Sequence, residues 1–149
     1  MNPDHICLER SNYKGTNMEQ TASSPRPVKI PGPDHPITIE RDSNRVVVSV
    51  AGRVIADTHD ALILTEAQYP PVRYIPRKDV DMTLLTRTEH TTYCPYKGDC
   101  AYFSIPLGGE RASNAVWTYE TPYAAVEAIR GHLAFYPDRV DAIEDRSKH

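Results

Sequence analysis

The sequence predicts a mostly antiparallel β protein, and three observations support this fold class. Short runs rich in β-branched residues recur along the chain, bounded by Pro, Gly, Asn and Asp. One segment carries convincing helix signals, and strands do not alternate with helices as a parallel sheet requires. The chain has 149 residues, of which 40% are hydrophobic and 25% charged, so a single domain with a modest core is expected.

The chain is predicted to have three parts. Residues 1–34 are polar and proline-rich without sustained apolar periodicity, and they are expected to form a flexible arm. A single β domain is expected to span residues 35–141. Residues 142–149 are rich in charged residues, and they are expected to fray as a C-terminal tail.

The first half of the domain is predicted to consist of short strands. The β-branched run Val46–Val50 is the clearest of them, and Gly52 then permits a tight connection to the next strand. Pro70 and Pro71 interrupt the chain before the last strand of this half. The predicted strands are Ile37–Glu40, Val46–Val50, Arg53–Asp57, Ala61–Glu66 and Val72–Ile75.

Turn and cap residues organise the second half of the domain. Pro95 and Gly98 suit a tight turn, which predicts a hairpin across Cys94–Gly98. Thr121 and Gly131 suit the two caps of a helix. The predicted elements are hairpin arms at Thr86–Tyr93 and Cys100–Leu107, strands at Asn114–Tyr119 and Leu133–Tyr136, and a helix at Pro122–Arg130; Asp79–Leu85 fits either a strand or a helical turn.

Charge, hydropathy and cysteine content limit the classes of partner and the cellular location that the sequence predicts. The net charge of −3 and the lack of a Lys/Arg cluster argue against nucleic-acid binding. No window approaches the ~20 apolar residues of a membrane span, and the N-terminus lacks signal-peptide features, so a cytoplasmic location is expected. Cys7, Cys94 and Cys100 are then expected to be reduced thiols. The sequence leaves the oligomeric state open.

The turn Cys94–Gly98 is the best candidate for a reactive site. It would hold Cys94 and Lys97 close together, and a nearby ammonium lowers the pKa of a thiol, which favours the nucleophilic thiolate. Glu66, at the end of an apolar run, would then serve as an orienting group or general base. The same residues also fit a structural interpretation, with Cys94 packed as a small hydrophobe and Lys97 in solvent.

Histidine and metal chemistry find little support at this turn. His90 precedes Cys94 on one strand, and four extended residues separate their Cα atoms by roughly 13 Å, so no Cys–His dyad is predicted. Cys94 and Cys100 lack the spacing of a CxxC pair, so no metal site is predicted. The glycine-rich and histidine motifs that bind dinucleotides, phosphates or zinc are absent, and no cofactor is predicted.

The chain resembles the domain of unknown function 427 family over residues 35–141. The most specific motifs are YIPRKDV at 74–80 and CPYKG at 94–98, followed by WTY at 117–119. The resemblance implies a single-domain cytosolic protein, largely bacterial in distribution. It also implies a β-tent-like fold, in which two antiparallel sheets pack at an angle and a pocket opens between them. The implied site positions are Glu66, Tyr74, Arg77, Cys94, Lys97, Tyr102 and Trp117.

One hypothesis is that the protein binds a small anionic ligand in a pocket between the two sheets. Arg77 and Lys97 would hold the anion, since a guanidinium grips a carboxylate or phosphate through two hydrogen bonds. Tyr74, Trp117 and Tyr102 would line the pocket. Cys-dependent catalysis is an extension of this hypothesis, and its catalytic residues would be Cys94, Lys97 and Glu66.

The alternative hypothesis is a non-catalytic structural or protein-interaction module. Here Arg77 would pair with Glu66, and Cys94 would lie in the hairpin core, so that the same residues form a buried polar lock. The sequence leaves open which hypothesis holds, and therefore whether the protein is an enzyme.

Overall fold

The computed structural model describes residues 26–146, and this part of the chain is mainly β, as predicted. Residues 1–25 of the predicted arm, which include Cys7, and residues 147–149 lie outside the described residues. The strands are β1 (Ile37–Asp42), β2 (Val46–Val50), β3 (Arg53–Thr58), β4 (Ala61–Glu66), β5 (Val72–Tyr74), β6 (Thr86–Cys94), β7 (Gly98–Ser104), β8 (Val116–Thr118), β9 (Leu133–Phe135) and β10 (Ala142–Asp145).

The described strands form three antiparallel sheets in place of the two that the family resemblance implies. Their orders are β1-β4-β5, β10-β2-β3 and β6-β7-β8-β9. A single bridge between Ile75 and Leu133, with two backbone hydrogen bonds of 2.8 Å, connects the first sheet to the third. Pro76 follows at once and has no N–H group to donate, so the ladder between these two sheets stops there.

The β6-β7-β8-β9 sheet separates two hydrophobic cores. Side chains alternate between the faces of a strand, so Val116 and Trp117 of β8 enter different cores. The first core, under the β10-β2-β3 sheet, includes Val46, Val48, Val50, Ile55, Ile75, Phe103, Val116, Leu133 and Phe135. The second, here named the tyrosine-rich core, consists of Leu64, Tyr74, Cys94, Cys100, Tyr102, Trp117, Tyr119, Val126, Ile129, Ala134 and Tyr136.

The predicted helix over Pro122–Arg130 is a short 3₁₀ segment at Ala124–Ile129, broken at Val126 (φ −125°, ψ 29°). Val126 and Ile129 are three residues apart and both fully buried. Residues three apart share one face of an α-helix as well as of a 3₁₀ turn, so this apolar spacing did not distinguish the two. Gly131 follows with φ +70°, as expected for glycine after a helical segment. No helix within residues 26–146 has the length and apolar character to cross a membrane.

The predicted charged tail contains a strand. Ala142–Asp145 form β10, which pairs with β2 so that Ile143 lies opposite Val48. Ile143 also packs against the first core. Two apolar residues, Ala142 and Ile143, in a charged stretch are too weak a pattern to predict a strand, so the pairing with β2 became visible only in the folded chain.

Residues 26–36, which are described, dock beside the β6–β7 hairpin. Arg26 makes a bidentate ion pair with Asp99, with N–O distances of 2.6 and 2.9 Å. The backbone N–H of Lys29 donates to the carbonyl of Pro95 at 3.0 Å. These contacts carry the chain past the hairpin turn before it enters β1.

The β6–β7 turn requires glycine at position 98. The N–H of Lys97 donates to the carbonyl of Cys94 at 3.2 Å, and Gly98 follows with φ +108°. A Cβ at Gly98 would also lie 3.4 Å from the carbonyl oxygen of Thr121. We expect Gly98→Ala to lower the free energy of unfolding by about 1–3 kcal/mol, because alanine is strained at this backbone conformation.

Urea denaturation, monitored through the fluorescence of Trp117, measures this decrease in the free energy of unfolding. Trp117 is the single tryptophan of the chain. Gly32→Ala is the matched control, since Gly32 is not among the positive-φ glycines and no atom lies within 4 Å of its Cβ position. It should change the free energy of unfolding by about 0.5 kcal/mol or less. Equal losses in the two variants would contradict the conformational argument.

Candidate functional site

Four of the predicted site residues lie together in the tyrosine-rich core. Tyr74 ends β5, Cys94 ends β6, Tyr102 lies on β7 and Trp117 on β8. The exposed fraction of each is 1% or less. Four separate strands therefore bring these side chains to one face of the β6-β7-β8-β9 sheet and its neighbour β5.

A buried ion pair joins Glu66 to Lys97 beside this core. Glu66 is the last residue of β4, Lys97 lies in the β6–β7 turn, and their side chains are 2% and 0% exposed. Nζ of Lys97 donates to Oε1 of Glu66, and Oε2 lies 2.7 Å from Nε2 of His35. Both oxygens of the carboxylate therefore have a partner, as burial of a charged group requires.

His35 connects this network to the surface, since a quarter of its side chain is exposed. Its ring stacks on Tyr96 with a centroid separation of 4.0 Å and an interplanar angle of 3°. No sequence pattern pointed to His35 as a site residue. The β1–β4 register pairs Ile37 with Glu66, and that pairing is the signal that would have placed His35 near the carboxylate.

Lys97 faces the aromatic side of the core. Its Nζ lies 5.9 Å from the centre of the Tyr119 ring, a distance at which a cation is attracted to the ring face. Burial raises the pKa of Tyr74, and the positive charge of Lys97 acts in the opposite direction. The ammonium is thus close to two buried phenols as well as to Glu66.

Trp117 is packed on several sides. Its indole Nε1–H donates to the hydroxyl of Tyr74 at 3.1 Å, and the two rings meet edge to face with centroids 6.3 Å apart. The ring of Tyr136 lies 4.5 Å from it on a tilted plane. Edge-to-face and tilted contacts of this kind stabilise a core beyond the area that they bury. The Trp117 ring is therefore fixed by its neighbours in the interior.

Both described thiols are buried. Cys94 and Cys100 are each 1% exposed and form no disulfide. Burial raises the pKa of the Cys100 thiol to about 12, although hydrogen bonding to Tyr102, Thr92 and Tyr119 acts in the opposite direction. A thiol with a raised pKa carries little of the thiolate that nucleophilic catalysis needs.

Arg77 lies apart from the buried pair. Its side chain is 40% exposed, and its Nη2 lies 3.5 Å from Oε2 of Glu120. Arg87 holds the same carboxylate with distances of 2.9 and 3.1 Å. Pro76 ends the bridge to β9, and Arg77 then begins a surface 3₁₀ turn. In place of the predicted Arg77–Glu66 pair, the folded chain pairs Glu66 with Lys97.

His90 of β6 lies beside the aromatic ring of Tyr102. The His90 ring lies 4.4 Å from the ring of Tyr102, and burial, helped by the charge of Arg139, lowers the pKa of His90. Among residues 26–146, no three His, Cys, Asp or Glu side chains are arranged to hold a metal ion.

The comparison with protein families covers nearly all of the described chain. The family model described as Domain of unknown function (DUF427) matches residues 38–146, which include every predicted site residue and all strands from β1 to β10 apart from Ile37. No curated protein matches the chain in sequence. Because the match spans well over half of the chain, the protein belongs to the DUF427 family.

Proposed function

We propose that this protein is a non-catalytic binding module of the cytoplasm, in which the predicted catalytic groups stabilise the fold instead of reacting. The observation that carries the proposal is the burial of Glu66 and Lys97 in a mutual ion pair. A general base or an amine nucleophile has to contact its substrate, and these side chains have almost no exposed surface for such a contact.

The buried network joins three parts of the chain. His35 belongs to the segment that precedes β1, Glu66 ends β4, and Lys97 lies in the turn between β6 and β7. A buried charge that loses its partner is strongly destabilising, so the network favours the one arrangement in which all three groups meet. This is the expected behaviour of a structural lock.

The thiols support the same proposal. Cys-dependent catalysis needs an accessible thiolate, whereas Cys94 and Cys100 are both buried and the pKa of Cys100 is raised to about 12.

An anionic ligand held jointly by Arg77 and Lys97 has less support. Lys97 is buried against Glu66, whereas Arg77 is exposed and paired with Glu120. An anion would have to compete with a carboxylate at either cation. We therefore propose that ligand recognition takes place outside this cluster.

Thiol labelling tests the proposal. In a Cys7→Ser variant, we expect iodoacetamide to label Cys94 and Cys100 at least about a hundredfold more slowly in the native protein than in guanidinium chloride. The physical reason is that burial excludes the reagent and suppresses the thiolate. Mass spectrometry of the digested protein gives the rate at each cysteine.

Val54→Cys in the same background provides the exposed reference, because Val54 lies on β3 with 51% of its surface exposed. Its thiol should react about as fast in the native as in the unfolded protein. Rapid labelling of Cys94 in the native protein, with Cys100 still protected, would contradict the proposal and restore Cys94 as a nucleophile.

A further inference from the structure

A cavity of about 210 Å³ lies between the β10-β2-β3 sheet and the strands β5 and β9. Apolar side chains form most of its wall, among them Val48 of β2, Ile143 of β10 and Phe135 of β9. Three of its lining residues, Pro70, Pro71 and Pro137, are exposed, and the cavity opens to the surface beside them.

One charged side chain also lines the cavity. Arg73 of β5 donates from Nη2 to Asp145 at 3.2 Å, and its Nε lies 3.5 Å from Oδ2 of Asp42 without forming a hydrogen bond. Within residues 26–146, this buried Nε–H has no acceptor. The side chain of Arg73 as a whole is 36% exposed, so an acceptor atom of a ligand in the cavity can accept a hydrogen bond from its guanidinium.

The local charge selects against anions. The single positive charge of Arg73 is shared by two carboxylates, and Asp42 is only 8% exposed. A ligand carboxylate or phosphate would add a further negative charge to a group that already carries one positive and two negative charges. A carbonyl oxygen of a neutral molecule accepts the same hydrogen bond without that repulsion.

We propose that this cavity binds a small neutral molecule of roughly ten non-hydrogen atoms, since its volume equals that of about seven water molecules. The apolar body of the ligand packs against Val48, Phe135 and Ile143, and its carbonyl oxygen accepts a hydrogen bond from the guanidinium of Arg73. Apolar walls with one fixed polar group are typical of small-molecule sites. The cavity excludes Glu66, Lys97 and Cys94, so the inference rests on the proposed function only in treating the protein as a binding module.

Benzamide and benzoate test this inference on the full-length protein, because they have nearly the same shape and differ in charge. Each titration is monitored through the NMR chemical shifts of the methyl groups of Val48 and Ile143. Fluorescence of Trp117, which also lines the cavity, is the second readout. We expect benzamide to shift these methyl signals and benzoate to bind at least about tenfold more weakly.

Three variants locate the binding. Ile143→Phe fills the cavity and should weaken benzamide binding at least about tenfold, whereas Val54→Phe adds a phenyl ring at an exposed position of β3 and should not change it. Arg73→Lys keeps the positive charge near Asp42 and Asp145 but removes the guanidinium donors. It should weaken benzamide binding about fivefold, which is the expected effect of one hydrogen bond, and leave benzoate binding unchanged.

Benzoate binding as tight as that of benzamide would overturn the neutral ligand class. An absence of benzamide-induced shifts at the cavity methyl groups, or benzamide binding that Ile143→Phe does not change, would overturn the site. None of these measurements depends on the labelling of Cys94 or Cys100. Failure of this inference is therefore distinguishable from failure of the proposed function.

Discussion

Replacement of Lys97 by methionine is expected to lower the free energy of unfolding by about 3–5 kcal/mol. Methionine keeps an apolar side chain of similar length in the fully buried site. The carboxylate of Glu66 then stays buried and keeps His35 as a partner. A buried charge that loses its ionic partner is the physical cause of the expected loss.

The double variant Lys97→Met with Glu66→Gln separates this cause from a loss of packing. Glutamine removes the uncompensated charge, so the double variant should regain about 1–3 kcal/mol relative to Lys97→Met alone. Urea denaturation followed by Trp117 fluorescence measures all three proteins.

Arg77→Met is the matched control for the loss of a cation. Arg77 is 40% exposed and pairs with Glu120 at the surface, so its replacement should cost about 1 kcal/mol or less. Equal and small losses for Lys97→Met and Arg77→Met would show that the buried pair is not a lock. The predicted catalytic role of Lys97 would then regain support.

Above pH 10, the stability of the protein is expected to fall steeply, by about 1.4 kcal/mol per pH unit for each buried phenol or thiol. Burial raises the pKa of Tyr74 and Tyr102, and it raises the pKa of Tyr136 and Cys100 to about 12 each. The ordinary values are 10.0 for tyrosine and 9.0 for cysteine.

The direction of this pH dependence is determined by which state, folded or unfolded, loses its protons first. Between the ordinary and the raised pKa, these groups are ionised in the unfolded chain and neutral in the folded protein. The unfolded state then binds fewer protons, so the free energy of unfolding decreases as the pH rises. The stabilisation from neutral burial is fully present below about pH 9 and is lost progressively toward pH 12 and above.

Urea denaturation followed by circular dichroism, from neutral pH to about pH 11, measures this dependence. Tyr102→Phe should reduce the slope by about 1.4 kcal/mol per pH unit, since it removes one titrating group. Ile129→Val, in the same core, should lower the free energy of unfolding by about 1 kcal/mol at every pH and leave the slope unchanged. Constant stability up to about pH 11 would contradict the burial of these hydroxyls.

Local patterns predicted most of the strands. The run Val46–Val50 coincides with β2, Ala61–Glu66 coincides with β4, and the turn Cys94–Gly98 joins β6 to β7. These segments combine β-branched or apolar runs with turn residues, so their conformation depends mainly on neighbours in the sequence. The strand β10 and the 3₁₀ segment Ala124–Ile129 depend instead on packing against distant parts of the chain.

In the candidate site, too, some features follow from local sequence and others depend on long-range packing. The sequence selected Glu66 at the end of an apolar run and Lys97 in the hairpin turn, but it assigned Arg77 as the partner of the carboxylate and did not select His35. Side chains that can neutralise Glu66 occur at many positions, and composition does not distinguish among them. Only the folded arrangement of the three segments that carry His35, Glu66 and Lys97 distinguishes among these positions.

Sequence pattern was sufficient for the family, the mainly β class and the positions of most strands, because motifs and alternation are properties of neighbouring residues. It was not sufficient for the pairing of charges. Glu66 and Lys97 are 31 residues apart, and their contact depends on how the end of β4 meets the β6–β7 turn. Burial of that contact, which favours a structural over a catalytic role, arises from long-range packing that no local pattern encodes.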